Sequence, residues 1–102
     1  NMKIEWSKTA KLTYAEELDF IDLKWGVKEV EKFIMLSDNF LDTLSTGTFE
    51  GKLIRKGTLK MSVISKQTSV FYKVDKKNNK IVLVSFWNNK RDPKELKKRL
   101  NF

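Results

Sequence analysis

Whatever chemistry this chain performs is done without histidine and without cysteine, because its 102 residues contain neither. That excludes the usual general base near neutral pH, Ser-His and Cys-His nucleophile systems, disulfides, and thiolate or imidazole metal sites. What remains is cationic and aromatic. Lys60 and Lys66 share one parity of a strand-like run, with Ser62 and Ile64 between them. Arg91 follows the last apolar run, and its planar fork can clamp a phosphate through two parallel N–H bonds. Lys90 stands beside it. Arg55 and Lys56 lie between Gly51 and Gly57, where a loop can lay two cations along a phosphate backbone. Tyr72 and Trp87 are candidates for stacking on an unpaired base. Each residue also has a plain reading. Lysines solvate an outer sheet face, Tyr72 and Trp87 fill a core, and Arg91 pairs with its neighbour Asp92.

The charge pattern favours a polyanionic or acidic partner. Lysine and arginine number 21 against 13 acids, a net of +8. Residues 1–49 hold six lysines and nine acids, whereas residues 50–102 hold fifteen basic residues and four acids. An acidic half and a strongly basic half imply two electrostatic faces, the basic one suited to phosphate backbones or an acidic protein surface. The length implies one domain over residues 1–102, with a core that closes without staples. No apolar run approaches the roughly 18 residues a membrane span needs. No signal-like segment precedes the first strand pattern, so a cytoplasmic location is expected. Asn1 stands before Met2 and reads as a remnant of expression.

The elements that must position these side chains follow from periodicity. Met2, Ile4 and Trp6 alternate as in a strand, and Ser7 or Thr9 offers a helix N-cap. Ala10, Tyr14, Leu18, Ile21 and Trp25 make one helical stripe, with Glu16, Glu17, Asp19 and Asp22 on the other side. Gly26 punctuates the pattern and can end the helix in a left-handed conformation. Val27, Val30, Ile34, Leu41 and Leu44 form a second stripe, with Phe33 and Phe40 beside it. The short link makes an antiparallel helical hairpin. After the Ser45–Thr48 turn cluster, Leu59–Ile64, Ser69–Val74 and Ile81–Trp87 read as strands joined by short polar links. Ile81–Trp87 is apolar on both parities, as a strand covered on both faces must be. Leu53 and Ile54 can extend the sheet, but residues 49–57 look like a mobile approach loop. Asp92 and Pro93 open a short basic helix running through Leu96 and Leu100 to Phe102. The expected fold is α+β: a small antiparallel β-sheet packed against an N-terminal helical hairpin, in the order β-α-α-β-β-β-α.

Four stretches in that order carry a resemblance: Ile4-Glu5-Trp6-Ser7-Lys8-Thr9-Ala10, Leu59-Lys60-Met61-Ser62-Val63-Ile64-Ser65-Lys66, Thr68-Ser69-Val70-Phe71-Tyr72-Lys73-Val74, and Phe86-Trp87-Asn88-Asn89-Lys90-Arg91-Asp92-Pro93-Lys94-Glu95-Leu96. Together they resemble the RelE/ParE family of toxins from bacterial type II toxin–antitoxin pairs, over nearly the whole chain. The resemblance implies a cognate antitoxin as partner, laying an acidic and apolar segment across the basic sheet. It also implies one of two targets. Some members cut messenger RNA on the ribosome; others, of the ParE type, poison DNA gyrase without cutting anything themselves. No cofactor and no membrane partner are implied, and a non-toxic nucleic-acid-binding module is a lesser alternative.

Cleavage requires a 2′-oxygen activated against its neighbouring phosphate, a cation on the phosphate oxygens and an acid for the leaving oxygen. Without histidine the base is a lysine of lowered pKa, a carboxylate or a tyrosinate. Lys60, Lys66 and Arg91 are the candidate catalytic residues, with Arg55, Lys56, Tyr72, Trp87 and Lys90 as nucleic-acid contacts. Nuclease members often carry tyrosine or histidine at the end of the last strand or in the tail, where this chain has Asn88-Asn89-Lys90-Arg91 and Phe102. An arginine also stands more often at the Lys60 position. The Arg91-Asp92-Pro93 step looks more like the ParE side. The +11 half suits an RNA-bound ribosomal site, and the balance leans slightly to RNA cleavage.

Overall fold

The computed structural model describes residues 1–47, the backbone of 52–55, residues 59–91, and Lys94, Glu95 and Lys98. Strand β1 (Lys3–Trp6) leads directly into helix α1 (Lys8–Trp25). Ser7 sets the start of α1: its hydroxyl oxygen accepts from the Ala10 amide at 2.9 Å, an N-cap of the ordinary kind. One residue, Gly26, separates α1 from α2 (Val27–Ser45). Its φ of 93° lies in the left-handed region, which only glycine occupies without strain. Its amide donates to the Asp22 carbonyl at 2.9 Å and closes the helix.

Four more strands complete the sheet: β2 (Lys52–Arg55), β3 (Leu59–Val63), β4 (Thr68–Asp75) and β5 (Lys80–Asn88). The spatial order is β1-β5-β4-β3-β2. The strands β2 to β5 form an antiparallel meander, while β1 pairs parallel with β5, Lys3 opposite Lys80. The sheet is therefore mixed, not wholly antiparallel: the helical hairpin carries the chain across the face between β1 and the meander, so β1 and β5 run the same way. The mobile loop expected at 49–57 contains an edge strand instead, because Leu53 finds a partner in Lys60. Of the expected last helix, Lys94, Glu95 and Lys98 are helical; Asp92, Pro93, Leu96 and Phe102 lie outside the described residues.

A bulge in β5 explains how α1 seats on the sheet. Phe71 pairs with Ser85 but Tyr72 pairs with Leu83, so Val84 is an extra residue. Extra residues leave backbone groups outside the ladder. Here α1 and its cap take them: the Ser7 hydroxyl donates to the Val84 carbonyl at 3.0 Å, and the Phe86 amide donates to Thr13 Oγ1 at 2.9 Å.

Apolar residues cover both faces of the sheet. Toward the helices, Ala10, Leu44, Val70, Tyr72, Ile81, Leu83 and Phe86 form the main cluster. On the far face, Leu59, Phe71 and Trp87 form a smaller one. The covered stripe of α1 is Ala10, Thr13, Glu17 and Ile21, so the helix is turned from the expected stripe. Tyr14 keeps a half-buried place, its ring against Trp6, Phe33 and Phe86. Burial pushes its phenol above the usual value of 10.0, Asp38 adding to the rise and a hydrogen bond with Ser37 opposing it. Glu17, expected on the solvated side, is 6% exposed. Trp25 and Val27 are exposed at the hairpin tip. The second stripe is also turned, burying Phe33, Ser37 and Leu44.

Candidate functional site

The pairing of Thr68 with Asn88 puts the start of β4 beside the end of β5. The turn before β4 carries Lys66, and the turn after β5 carries Lys90 and Arg91. The Asn89 amide donates to the Gln67 carbonyl at 2.6 Å, and the Ser69 hydroxyl donates to Asn89 Oδ1 at 3.2 Å. Three of the candidate cations thus stand at one end of the sheet, with Lys66 and Lys90 exposed.

Arg91 is held on two sides. Its guanidinium lies 4.7 Å from the Trp87 ring centroid, and its Nη2 donates to Glu95 Oε1 at 2.6 Å. The expected pairing partner was Asp92, which lies outside the described residues; the carboxylate found on Arg91 is one helical turn further on. Lys90 reaches the other way, its Nζ 6.0 Å from the Trp25 ring centroid. Between these cations and the C-terminal half of α1 lies a cleft of about 420 Å³, lined among others by Glu17, Phe20, Lys24, Asn88, Lys90 and Arg91. It has the size of a small-ligand pocket.

The other sequence candidates fall elsewhere. Lys60 sits opposite Tyr72 in the β3–β4 register, four residues along β4 from Thr68. At the rise of a strand that is roughly 13 Å from the cationic end, and on the helix-facing side. The shared strand parity of Lys60 and Lys66 does not form, because β3 ends at Val63 and Lys66 lies in the turn. Tyr72 is 0% exposed and Trp87 3%, so neither offers a ring face to a base. Tyr72 is a core residue whose hydroxyl meets Ser62 Oγ at 3.3 Å. Trp87 belongs to the far-face cluster and is covered by Arg91. Arg55 ends the edge strand β2, and Lys56 lies outside the described residues.

Three residues at this end escaped the sequence reading. The Thr68 hydroxyl donates to Glu17 Oε2. The Asn88 amide donates to both Glu17 oxygens, at 3.4 and 3.3 Å. All three side chains are buried. The signal for Glu17 was its place at i+7 from Ala10 and i−4 from Ile21, which fits the helical period as well as the stripe through Tyr14 does. Among the described residues no cluster of three or more acidic side chains forms a metal site, and no helix is long and apolar enough to cross a membrane.

No family model and no curated protein matches the chain. Solved structures do. A chain of the chromosomal ParDE TA system from P. aeruginosa aligns with a TM-score of 0.69 at 12% identity, covering 85% of this chain and 95% of that one. The isolated E. coli RelE toxin aligns over 98% of this chain and 99% of its own, with a TM-score of 0.58 and 17% identity. The YoeB dimer structure from Staphylococcus aureus gives 0.56 at 17% identity, over 84% and 94%. The hairpin on a five-stranded sheet is thus matched over most of the chain: this chain has the RelE/ParE-like fold.

Proposed function

We propose that this chain is the toxin of a toxin–antitoxin pair, held inactive by a cognate antitoxin, and that it arrests translation by cutting messenger RNA on the ribosome without a metal. The observation that carries this reading is the placement of Lys66, Lys90 and Arg91 on adjoining turns at one end of a fold that aligns with the RelE toxin over nearly its full length. Cations at that end stabilise the charge that builds on a phosphate under attack. Arg91 is the strongest member. Its planar fork is pre-set by the Trp87 face, and a phosphate would take over the donor now given to Glu95. Lys60 has no part in this cluster.

A second reading is inhibition of DNA gyrase without cleavage. It is favoured by the burial of Tyr72 and Trp87, which removes the stacking platforms expected for a splayed base.

A groove of about 770 Å³ between the hairpin and the β3–β4 turn is lined by Ile21, Trp25, Phe33 and Leu36, with Lys66 and the Lys32–Glu29 ion pair beside them. An apolar floor with the exposed Lys66 at its edge fits an amphipathic segment that carries an acid, and supports this groove over the sheet face as the antitoxin contact.

The deciding experiment maps messenger 5′ ends after a brief pulse of expression in a bacterial host. New ends confined to translated messages, absent with Arg91→Ala, are the expected result. Growth arrest with an unchanged 5′-end map sinks the cleavage reading and moves a gyrase supercoiling assay forward. No arrest, in a host lacking a cross-neutralising antitoxin, overturns the toxin reading.

A further inference from the structure

Glu17 is a carboxylate in an interior with no cation on it: the ion pairs among the described residues are Lys32–Glu29, Lys80–Glu5 and Arg91–Glu95. A charge taken out of water at such a site costs several kcal/mol unless hydrogen bonds replace its hydration. Two neutral donors do so here, the Thr68 hydroxyl and the Asn88 amide. A leucine at this position of α1 would pack without any such requirement, so packing alone gives no reason for the carboxylate. What its partners do next gives one. Asn88 spends its amide on Glu17 and its carbonyl oxygen on the Lys90 amide, at 2.9 Å. The Arg91 amide donates to the Asn88 backbone carbonyl at 3.0 Å. The Thr68 backbone amide donates to Ser65 Oγ in the neighbouring turn at 3.2 Å. The carboxylate therefore fixes which way round the Asn88 amide sits, since it accepts only. That orientation aims Oδ1 at Lys90. Through Thr68 and Asn88 it ties both cation-bearing turns to one rigid helix.

We infer that Glu17 is a positioning residue: acting through Asn88 and Thr68, it holds the turns that carry Lys66, Lys90 and Arg91 in the arrangement that grips the target phosphate. This rests on the functional reading above for what the cations do, but not for how they are held. An accept-only group is required because any group that also donates lets Asn88 turn over and release Lys90.

The test is a swap of polarity. Glu17→Gln keeps the side-chain volume but confronts the Asn88 amide with a second amide. Glu17→Gln combined with Asn88→Asp reverses the bond between the two side chains and keeps the other two: the introduced glutamine accepts from Thr68 and donates to the introduced aspartate, whose other oxygen accepts from Lys90. Amide hydrogen exchange at Asn89 and Lys90, thermal midpoint, and growth arrest on induction are measured for wild type, both variants and Arg91→Ala. Glu17→Gln is expected to speed exchange at Asn89 and Lys90 at least tenfold, with β1 amides unchanged, and to weaken arrest about as far as Arg91→Ala. The double variant is expected to recover both. Unchanged exchange at Lys90 in Glu17→Gln overturns the inference, as does full arrest by that variant. A folded double variant that recovers neither readout also overturns it, and this arm stands even where the single variant does not fold. Arg91→Ala arresting growth as wild type does, with the exchange results as expected, overturns the role given to Arg91 and leaves Glu17 as the residue that orders the turn.

Discussion

Asp75 shows how a single side chain tunes this fold at its rim. It begins the β4–β5 turn and accepts from the Asn78 side-chain amide at 2.8 Å and the Asn78 backbone amide at 3.1 Å. Those bonds hold its carboxyl below the usual carboxylate range, with Lys80 helping. The folded state then releases this proton at a lower pH than the unfolded chain, whose aspartate titrates near about 3.9. Its contribution is present above that value and is lost as pH falls through the folded pKa. The thermal midpoint of the wild type is expected to drop more steeply than that of Asp75→Asn between about pH 5 and pH 2.5, and identical profiles would refute the assignment. Residue roles at the cationic end were only partly legible in the sequence. Lys90 and Arg91 were singled out for their charge and their place after the last strand, and Lys66 for a strand parity with Lys60 that does not form. Glu17 was missed because hydrophobicity chose the α1 stripe, whereas hydrogen-bonding needs of the sheet chose how the helix is turned. Tyr72 and Trp87 were ambiguous because a stacking aromatic and a core aromatic look alike without the opposite layer.

At the scale of elements, the seat of α1 on the β5 bulge is the point most open to a clean perturbation. Thr13 Oγ1 accepts from the Phe86 amide while donating to the Thr9 carbonyl at 2.7 Å. Thr13→Val preserves shape and leaves the buried Phe86 amide without its acceptor, which costs on the order of 1–3 kcal/mol. Equilibrium urea unfolding should show the midpoint shifted down at unchanged m-value; a loss well below that range would mean the bulge finds another partner. The helices and the three long strands were readable because each carries its own period, and β5 was readable as central because it is apolar on both parities. The bulge was not, since one extra residue in an apolar run leaves no mark. Nor was the parallel β1–β5 pair, because four residues of alternation say nothing about direction. The edge strand β2 was hidden by the flanking Gly51 and Gly57.

For the molecule as a whole, the apolar groove and the cationic end meet at Lys66, but Leu36 lines the groove and Arg91 the cleft, which predicts separable losses at those two residues. The hairpin exposes Leu23 (91%) and Val27 (63%) beside its tip and Leu36 (46%) in the middle of α2. Leu36→Asp is expected to leave growth arrest intact while weakening rescue by the co-expressed antitoxin at least tenfold, read as the antitoxin dose needed to restore growth. Loss of arrest in this variant, at an unchanged thermal midpoint, would place target and antitoxin contacts on one surface. The charge asymmetry read from the sequence has a structural counterpart: the acid-rich half folds as the hairpin and the basic half as the meander. One pairing has a consequence in time. Lys3 meets Lys80 and Trp6 meets Leu83, so the first strand made waits for the last. At roughly 5–20 residues per second of synthesis, that wait is several seconds. The hairpin, with its one-residue link and local contacts, forms early, whereas the sheet closes only when β5 has left the ribosome. During that interval only the helical wall of the antitoxin groove is in place; the β3–β4 turn that completes it arrives with the same sheet that builds the cationic end, so the surface for the antidote and the means of harm are finished together.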